Sequence, residues 1–141
     1  MKALTIPQPA ASLIAIGYTR VEVRAWYTDY RGLLAVHAGI DRQYITRAKR
    51  TPLREALAAA GLDPDRMPFR SVVAIAQLID CVPADTYSFR DADIAAHGGF
   101  PRGYYVWRFA DVERIEPIPA RGNLKLWDWQ RQAGSAVLFA R

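Results

Sequence analysis

The chain has 141 residues, of which 51% are hydrophobic and 23% charged, an ordinary composition for a globular protein, and its net charge is +5. This length predicts a single domain over residues 1–141, and the composition excludes a mainly disordered chain. Because no apolar run approaches the ~18–20 residues of a membrane helix, we expect a soluble, cytoplasmic protein without a membrane partner.

The predicted elements begin with a strand and a helix, and strands predominate after them. Residues 21–25 alternate apolar and polar side chains, which is typical of a half-buried strand and places Glu22 and Arg24 on one face. Pro52 has no N–H to donate, so it divides the helical region after residue 40 into two. The predicted strands are Lys2–Ile6, Val21–Ala25, Leu33–Ala38, Ser71–Val82, Tyr104–Asp111, Glu113–Ile118 and Ala136–Phe139, and the predicted helices are Pro9–Ile16, Asp41–Arg50, Pro52–Ala60 and Asp91–His97.

The order of these elements indicates the fold class. Strands and helices do not alternate regularly, as they do in parallel βαβ units. We therefore expect an α+β, mainly β fold, in which six or seven short strands form a mixed barrel with two or three helices on its flank.

The excess positive charge lies in the first half of the chain. Residues 1–70 carry 11 Lys and Arg against 6 Asp and Glu, whereas residues 71–141 carry 8 of each kind. The excess is densest at Arg42, Arg47, Lys49, Arg50 and Arg54. Such a local excess favours a polyanionic partner, chiefly nucleic acid, although a solvated basic surface has the same composition.

Metal and disulfide chemistry have little support in the sequence. The single cysteine, Cys81, cannot form an internal disulfide, and it is expected to be a small core residue. Two histidines and one cysteine are too few for most zinc sites made only of protein ligands. We therefore expect neither a metal nor another cofactor.

Four sequence segments together resemble the ASCH domain family, a relative of the PUA domains. They occur in the family's order and spacing, and the resemblance covers about residues 2–128. The segments are Ala3–Pro9, Gly17–Trp26 with the following Tyr30-Arg31-Gly32 and His37-Ala38, Val72–Cys81, and Tyr105-Val106-Trp107 with Pro117–Trp127. The resemblance implies a PUA-like β-barrel with a cleft beside the first helix.

The resemblance also implies a function. Family members bind RNA or nucleotides, and some hydrolyse nucleosides or RNA. The positions that line the family's cleft correspond here to Gln8, Glu22, Arg24, Trp26, the segment around His37, and Arg121 to Trp127.

Two departures from the family limit this transfer. Thr19 stands where many relatives have a lysine, and Glu22 stands where the members that resemble acetylcytidine amidohydrolases have a threonine. Because that lysine is a proposed catalytic group, the amidohydrolase activity is not expected. Ala10 replaces a tryptophan that is usual in relatives, which widens the cleft or removes a stacking wall.

The predicted site combines a basic surface with this cleft. Tyr44 and Lys49 are candidates for positioning and stabilising groups in RNA cleavage, with Glu22 as the proton acceptor. The candidate nucleic-acid contacts are Gln8, Arg24, Trp26, Arg47, Arg50, Arg121, Asn123 and Lys125. Structural alternatives are an ion pair for Glu22 and Arg24, core positions for Trp107 and Trp127, and a buried, hydrogen-bonded state for His37.

These observations predict a domain that binds single-stranded RNA or a nucleotide in a basic cleft. Metal-independent hydrolysis of RNA or of a nucleoside is an extension of this prediction. One alternative is a non-catalytic reader of RNA or modified bases, and another is a protein-interaction module in transcription or translation.

Overall fold

The computed structural model describes residues 1–131 as a curled six-stranded sheet with helices against it. The strands are β1 (Lys2–Ile6), β2 (Val21–Arg24), β3 (Gly32–Ala38), β4 (Ser71–Pro83), β5 (Tyr105–Pro119) and β6 (Leu126–Asp128). The α-helices are α1 (Ala10–Ala15), α2 (Leu53–Ala59) and α3 (Asp91–His97), and 3₁₀ turns occupy Ile45–Lys49, Pro64–Arg66 and Ala84–Thr86. Along this stretch, no helix is long and apolar enough to cross a bilayer.

The sheet is mixed, as predicted. Its strand order is β2-β5-β4-β3-β1-β6, in which β1 and β3 run parallel and the other neighbours run antiparallel. Irregularities in the register of β4 and β5 bend the two long strands and curl the sheet into a half-barrel. This arrangement confirms the expected α+β, mainly β fold, with the sheet curled into a half-barrel.

The main core lies between the sheet and helix α1. Leu4, Val36 and Trp107 come from three different strands, all are fully buried, and Ile14 of α1 closes the core above them. A second cluster, around Leu13 and Leu57, joins α1 to α2 and α3. The helices are therefore held on one side of the sheet, beside the edge strand β2.

Several predicted elements differ from the observed ones. The predicted helix Asp41–Arg50 is only a 3₁₀ turn, and the two strands predicted over residues 104–118 are one strand, β5. Asp111 has a φ of 51°, which bends β5, yet pairing with β4 continues on both sides of it. The short strand β6 was not predicted, and the predicted strand Ala136–Phe139 lies outside the described residues.

Candidate nucleic-acid binding site

A cleft of about 630 Å³ opens beside the start of α1. Four parts of the chain line it: the turn between β1 and α1, strand β2 with the residues after it, the 3₁₀ turn at Ile45–Lys49, and the end of α3 with its following loop. Of the predicted site residues, the cleft brings together Gln8, Glu22, Arg24, Trp26, Tyr44 and Arg47.

Arg24 is the basic group at the centre of the cleft. Its Nη1 donates to the carbonyl oxygen of Thr5 and to Oε2 of Glu22, each over 3.1 Å. Within residues 1–131, its Nη2 and Nε have no hydrogen-bond acceptor, and 23% of the side chain is exposed. One edge of the guanidinium is thus fixed while the other remains able to receive a ligand oxygen.

Glu22 is buried and its carboxylate is fully engaged. Oε1 accepts the backbone N–H of Val23 over 3.0 Å, and Oε2 accepts the bond from Arg24. Among the described residues, Glu22 is the only carboxylate in the lining of the cleft. The carboxylate therefore fixes the position of Arg24, and the two residues form the predicted structural ion pair in the cleft.

His97 completes this arrangement, although the sequence assigned it no role. Its Nε2 lies 2.7 Å from the carbonyl oxygen of Val21, which can only accept, so Nε2 carries a proton. Its Nδ1 lies 3.4 Å from Oε1 of Glu22, and a proton on Nδ1 makes that contact an ion pair. The C-terminal end of α3 is thereby tied to the edge strand β2.

Tyr44 and Arg47 form the opposite wall. The guanidinium carbon of Arg47 lies 4.4 Å from the centre of the Tyr44 ring, a cation–π contact. Arg47 also packs against Gly98, whose φ of +71° ends α3, and an added Cβ there would come within 2.7 Å of the guanidinium. Tyr44 and Arg47, both candidate site residues from the sequence, are thus in contact at the cleft.

Trp26 provides an aromatic surface at the side of the cleft. Its ring is half-buried and meets Trp107 edge to face, with the ring centres 4.7 Å apart. Nζ of Lys125 lies 5.6 Å from the centre of the Trp26 ring. Trp107 itself is fully buried, as predicted.

Gln8 has a structural role in the observed geometry. Its Nε2 donates to Oγ of Ser12 and to the carbonyl oxygen of Pro68, and its Oε1 accepts the N–H of Ser12. The side chain is fully buried, so it supports the floor of the cleft and shows no group to a ligand.

The loop that follows β5 carries three predicted contact residues, and only Lys125 comes near the cleft. Arg121, Asn123 and Lys125 are all absent from its lining, and Lys125 is near it only through its contact with the Trp26 ring. The loop is anchored through Thr5, whose Oγ1 is 3.0 Å from Nδ1 of His37 and 3.4 Å from the Asn123 carbonyl oxygen. Nε2 of His37 meets the carbonyl oxygen of Ala120 at 2.7 Å, and burial lowers the pKa of His37 despite that bond.

Much of the predicted basic surface lies away from the cleft. Nζ of Lys49 pairs with Asp65 over 3.2 Å, and Arg54 pairs with Glu55 over 3.3 Å. Arg50 is exposed and has extended backbone after the 3₁₀ turn, so it does not share a continuous helical face with Tyr44. Of this cluster, only Arg47 reaches the cleft.

Thr19, at the position of the family's lysine, points elsewhere. It is buried, and its Oγ1 donates to Oδ1 of Asp93 over 2.7 Å. Burial raises the pKa of Asp93, but the bonds from Thr19 and Arg90 outweigh it and lower the pKa overall. Thr19 therefore anchors α3 and offers no group to the cleft.

The comparisons with known proteins agree with this architecture. No protein-family model matches the chain. Activating signal cointegrator 1 from Homo sapiens is 28% identical over 128 residues, and that from Mus musculus is 29% identical over 129 residues, each match covering 88% of this chain. The chain spans only 21% of the length of these relatives.

Superposition on solved structures identifies the fold of this chain. ASCH from Zymomonas mobilis superposes with a TM-score of 0.53 at 14% identity, over 99% of this chain and 93% of that chain. A mutant of the same protein also gives 0.53, over 99% of this chain and 96% of that one. The chain has the ASCH-domain fold. The fold that the resemblance implied is confirmed, and the cleft lies beside the first helix, as the resemblance also implied.

The cleft residues that sequence reasoning missed belong to one segment. His97 and the loop Gly98-Gly99-Phe100-Pro101 line the cleft opposite α1. A histidine at the end of a helix, followed by two glycines, is a sequence signal for a close backbone approach. Sequence reasoning did not assign this segment to the site because it is far along the chain from the other candidate residues.

Proposed function

We propose that this ASCH domain binds single-stranded RNA, or a nucleotide, in the cleft. In this proposal Arg24 and Arg47 receive a phosphate group, while the rings of Trp26 and Tyr44 offer surfaces on which an unpaired base stacks. The observation that carries the proposal is the open edge of Arg24, held towards the cleft by a carboxylate that is buried and already satisfied.

The charge balance of the cleft supports an anionic ligand. Two guanidinium groups line it against the one carboxylate of Glu22, and the ammonium of Lys125 stands beside Trp26. Its volume of about 630 Å³ is within the ~300–1,000 Å³ that is usual for sites that enclose small ligands. A nucleotide unit of RNA combines the required phosphate with a flat base.

The test compares arginines inside and outside the cleft. Arg47→Ala removes a cleft charge without disturbing the pair of Arg24 and Glu22, and Arg54→Ala removes an equal charge from an exposed position on α2. We expect fluorescence anisotropy with a labelled oligouridylate to show about tenfold weaker binding for Arg47→Ala, equivalent to about 1.4 kcal/mol, and little change for Arg54→Ala.

Arg24→Ala is expected to weaken binding at least as much as Arg47→Ala. Because that change leaves the buried carboxylate of Glu22 without its partner, circular dichroism has to show that the variant is folded. Equal losses for the cleft variants and Arg54→Ala would indicate nonspecific attraction by net charge, and the cleft proposal would then be wrong.

Cleavage of the bound RNA is a second candidate function. The observation in its favour is that Tyr44, a predicted catalytic residue, stands in the cleft with the cation of Arg47 against its ring. Lys49 is paired with Asp65 outside the cleft, so Arg47 replaces it here as the cation that stabilises charge on the phosphate.

A further inference from the structure

A second groove lies near the N-terminal end of α3 and has about the same size as the cleft. Its volume is about 620 Å³, and three arginines from different elements line it. Arg20 precedes β2, Arg90 caps the N-terminal end of α3, and Arg108 belongs to β5. The ring of Tyr87 forms part of the same wall.

The guanidinium groups of this groove retain unused donors. Nη2 of Arg90 donates to Asp93, and Nη1 of Arg108 donates to Asp80, but the two side chains are 54% and 43% exposed. Arg20 is exposed and forms no ion pair with any residue between 1 and 131. Each of the three arginines can therefore still donate to an oxyanion.

The net charge of the groove is positive. Asp93 is buried and neutralises Arg90, and Asp80 is shared between Arg108 and Arg31, which lies 3.9 Å from it. Asp93 and Asp80 lie outside the lining, in which Asp111 has the only carboxylate among the described residues. Two positive charges are left without a partner: that of Arg20, and one of the two that share Asp80. They exceed the single negative charge of Asp111.

The groove and the cleft are neighbours along β2 and α3. Val21 and Arg90 line the groove, whereas Glu22 and His97 line the cleft. The seven residues of α3 span only about 10 Å at 1.5 Å per residue, so a few nucleotides of extended RNA bridge that distance. We infer that this groove is a second phosphate-binding site, which takes the backbone of the same RNA strand that the cleft binds.

This inference rests on the proposed function and extends it from one nucleotide to a longer strand. Guanidinium groups with free N–H donors match phosphate oxygens, and the ring of Tyr87 gives an adjacent base a surface for stacking. An acidic protein segment would also be attracted to these arginines, and the experiment distinguishes such a segment from RNA.

The experiment measures binding of two oligouridylates, one of about four nucleotides and one of about twelve, lengths within the range of ~4–16 nucleotides that single-strand sites cover. Arg20→Ala is compared with Arg54→Ala, because both residues are exposed and each change removes one positive charge. We expect Arg20→Ala to weaken binding of the longer probe about fivefold, to leave the shorter probe unchanged, and to reduce the salt slope by about 0.7.

Each other outcome identifies what has failed. If Arg20→Ala and Arg54→Ala affect the longer probe equally while Arg47→Ala weakens both probes, the groove is not a phosphate site and the cleft proposal stands. If neither probe binds the unmodified protein, the proposed function fails and this inference fails with it. If hexaglutamate binds in an Arg20-dependent way more tightly than the longer probe, the groove fits an acidic protein instead.

Discussion

At the scale of single residues, the role of Glu22 follows from its contacts. The sequence predicted it as a proton acceptor, or alternatively as the partner of Arg24 in an ion pair. Its two oxygens already accept the Val23 N–H and the Arg24 guanidinium, and His97 lies beside one of them. These contacts support a positioning role, in which Glu22 fixes the direction of the Arg24 side chain.

His37 makes folding stability depend on pH. Burial lowers the pKa of His37 from its ordinary value of 6.5, and the bond to the Ala120 carbonyl oxygen opposes burial only in part. Well above pH 6.5 the ring is neutral in the folded and the unfolded chain, so its contribution to stability is fully present. As the pH falls below 6.5, the unfolded chain takes up the proton first, and the free energy of unfolding decreases until the folded chain is protonated as well.

We expect urea denaturation to show a lower free energy of unfolding at about pH 5.5 than at about pH 7.5. His37→Gln removes the titrating group and offers an amide N–H to the Ala120 carbonyl oxygen and an amide oxygen to the Thr5 hydroxyl. This variant should have a flatter dependence on pH over the same range. An identical slope in the variant and the unmodified protein would contradict the assignment to His37.

At the scale of elements, residues 120–127 depend on one close contact. A Cβ added at Gly122 would lie 2.8 Å from Cε1 of His37 and 2.9 Å from Oγ1 of Thr5, closer than van der Waals contact allows. Thr5 also accepts the indole N–H of Trp127 over 3.2 Å and lies 3.4 Å from the Asn123 carbonyl oxygen, so one hydroxyl contacts the loop at two points. Gly122 is therefore required for the position of Lys125 beside Trp26.

Gly122→Ala should displace this loop and lower stability by about 1–3 kcal/mol, the usual cost of overpacking a filled site. Thermal unfolding measures the change. Leu124→Ala is the matched control, because Leu124 lies in the same loop and 87% of its surface is exposed. Comparable losses of melting temperature in the two variants would show that the loop has no tight contact at Gly122.

Element type was predictable where a single local pattern dominated. The alternation at Val21–Arg24 and the apolar run of β4 give strands with nearly the predicted bounds. The helix expected over Asp41–Arg50 is a 3₁₀ turn instead, since among its residues only Ala48 is buried to hold a helical face against the core. Strand β6 has three residues and exists through its pairing with β1, which no local pattern reveals.

At the scale of the whole molecule, the part of the site that could be predicted lies on segments close to the first helix. Arg24 and Trp26 follow from β2 and from the resemblance to ASCH domains, and both line the cleft. His97 comes from a helix more than 70 residues away, and its place depends on the bonds that tie α3 to β2. The distribution of charge along the sequence predicted a larger basic surface than the fold presents at the cleft. Lys49 and Arg54 are instead paired with carboxylates in the folded chain.

The last prediction concerns RNA cleavage and draws on the whole cleft. We expect cleavage by this chain to proceed by attack of a 2′-hydroxyl oxygen on the adjacent phosphorus while the bond to the 5′ oxygen breaks, giving a 2′,3′-cyclic phosphate and a 5′-hydroxyl. The proton leaves the 2′-hydroxyl and the departing 5′ oxygen gains one, so neither water nor an oxidant is consumed. Arg47 stabilises the charge on the phosphate, and the hydroxyl of Tyr44 positions the attacking 2′-hydroxyl.

Two histidines and one cysteine give few metal ligands, so this activity should persist in EDTA. Incubating the purified protein with a labelled oligoribonucleotide and separating the products by their ends tests this directly. Tyr44→Phe is expected to slow cleavage at least tenfold while retaining most of the binding, and Lys49→Ala is the control because Lys49 is paired with Asp65 outside the cleft.

Acetylcytidine incubated in parallel should release little acetate, since Thr19 is buried against Asp93. Binding without cleavage would instead identify a non-catalytic reader of RNA, and rapid release of acetate would show that the amidohydrolase reaction does not need the lysine that Thr19 replaces.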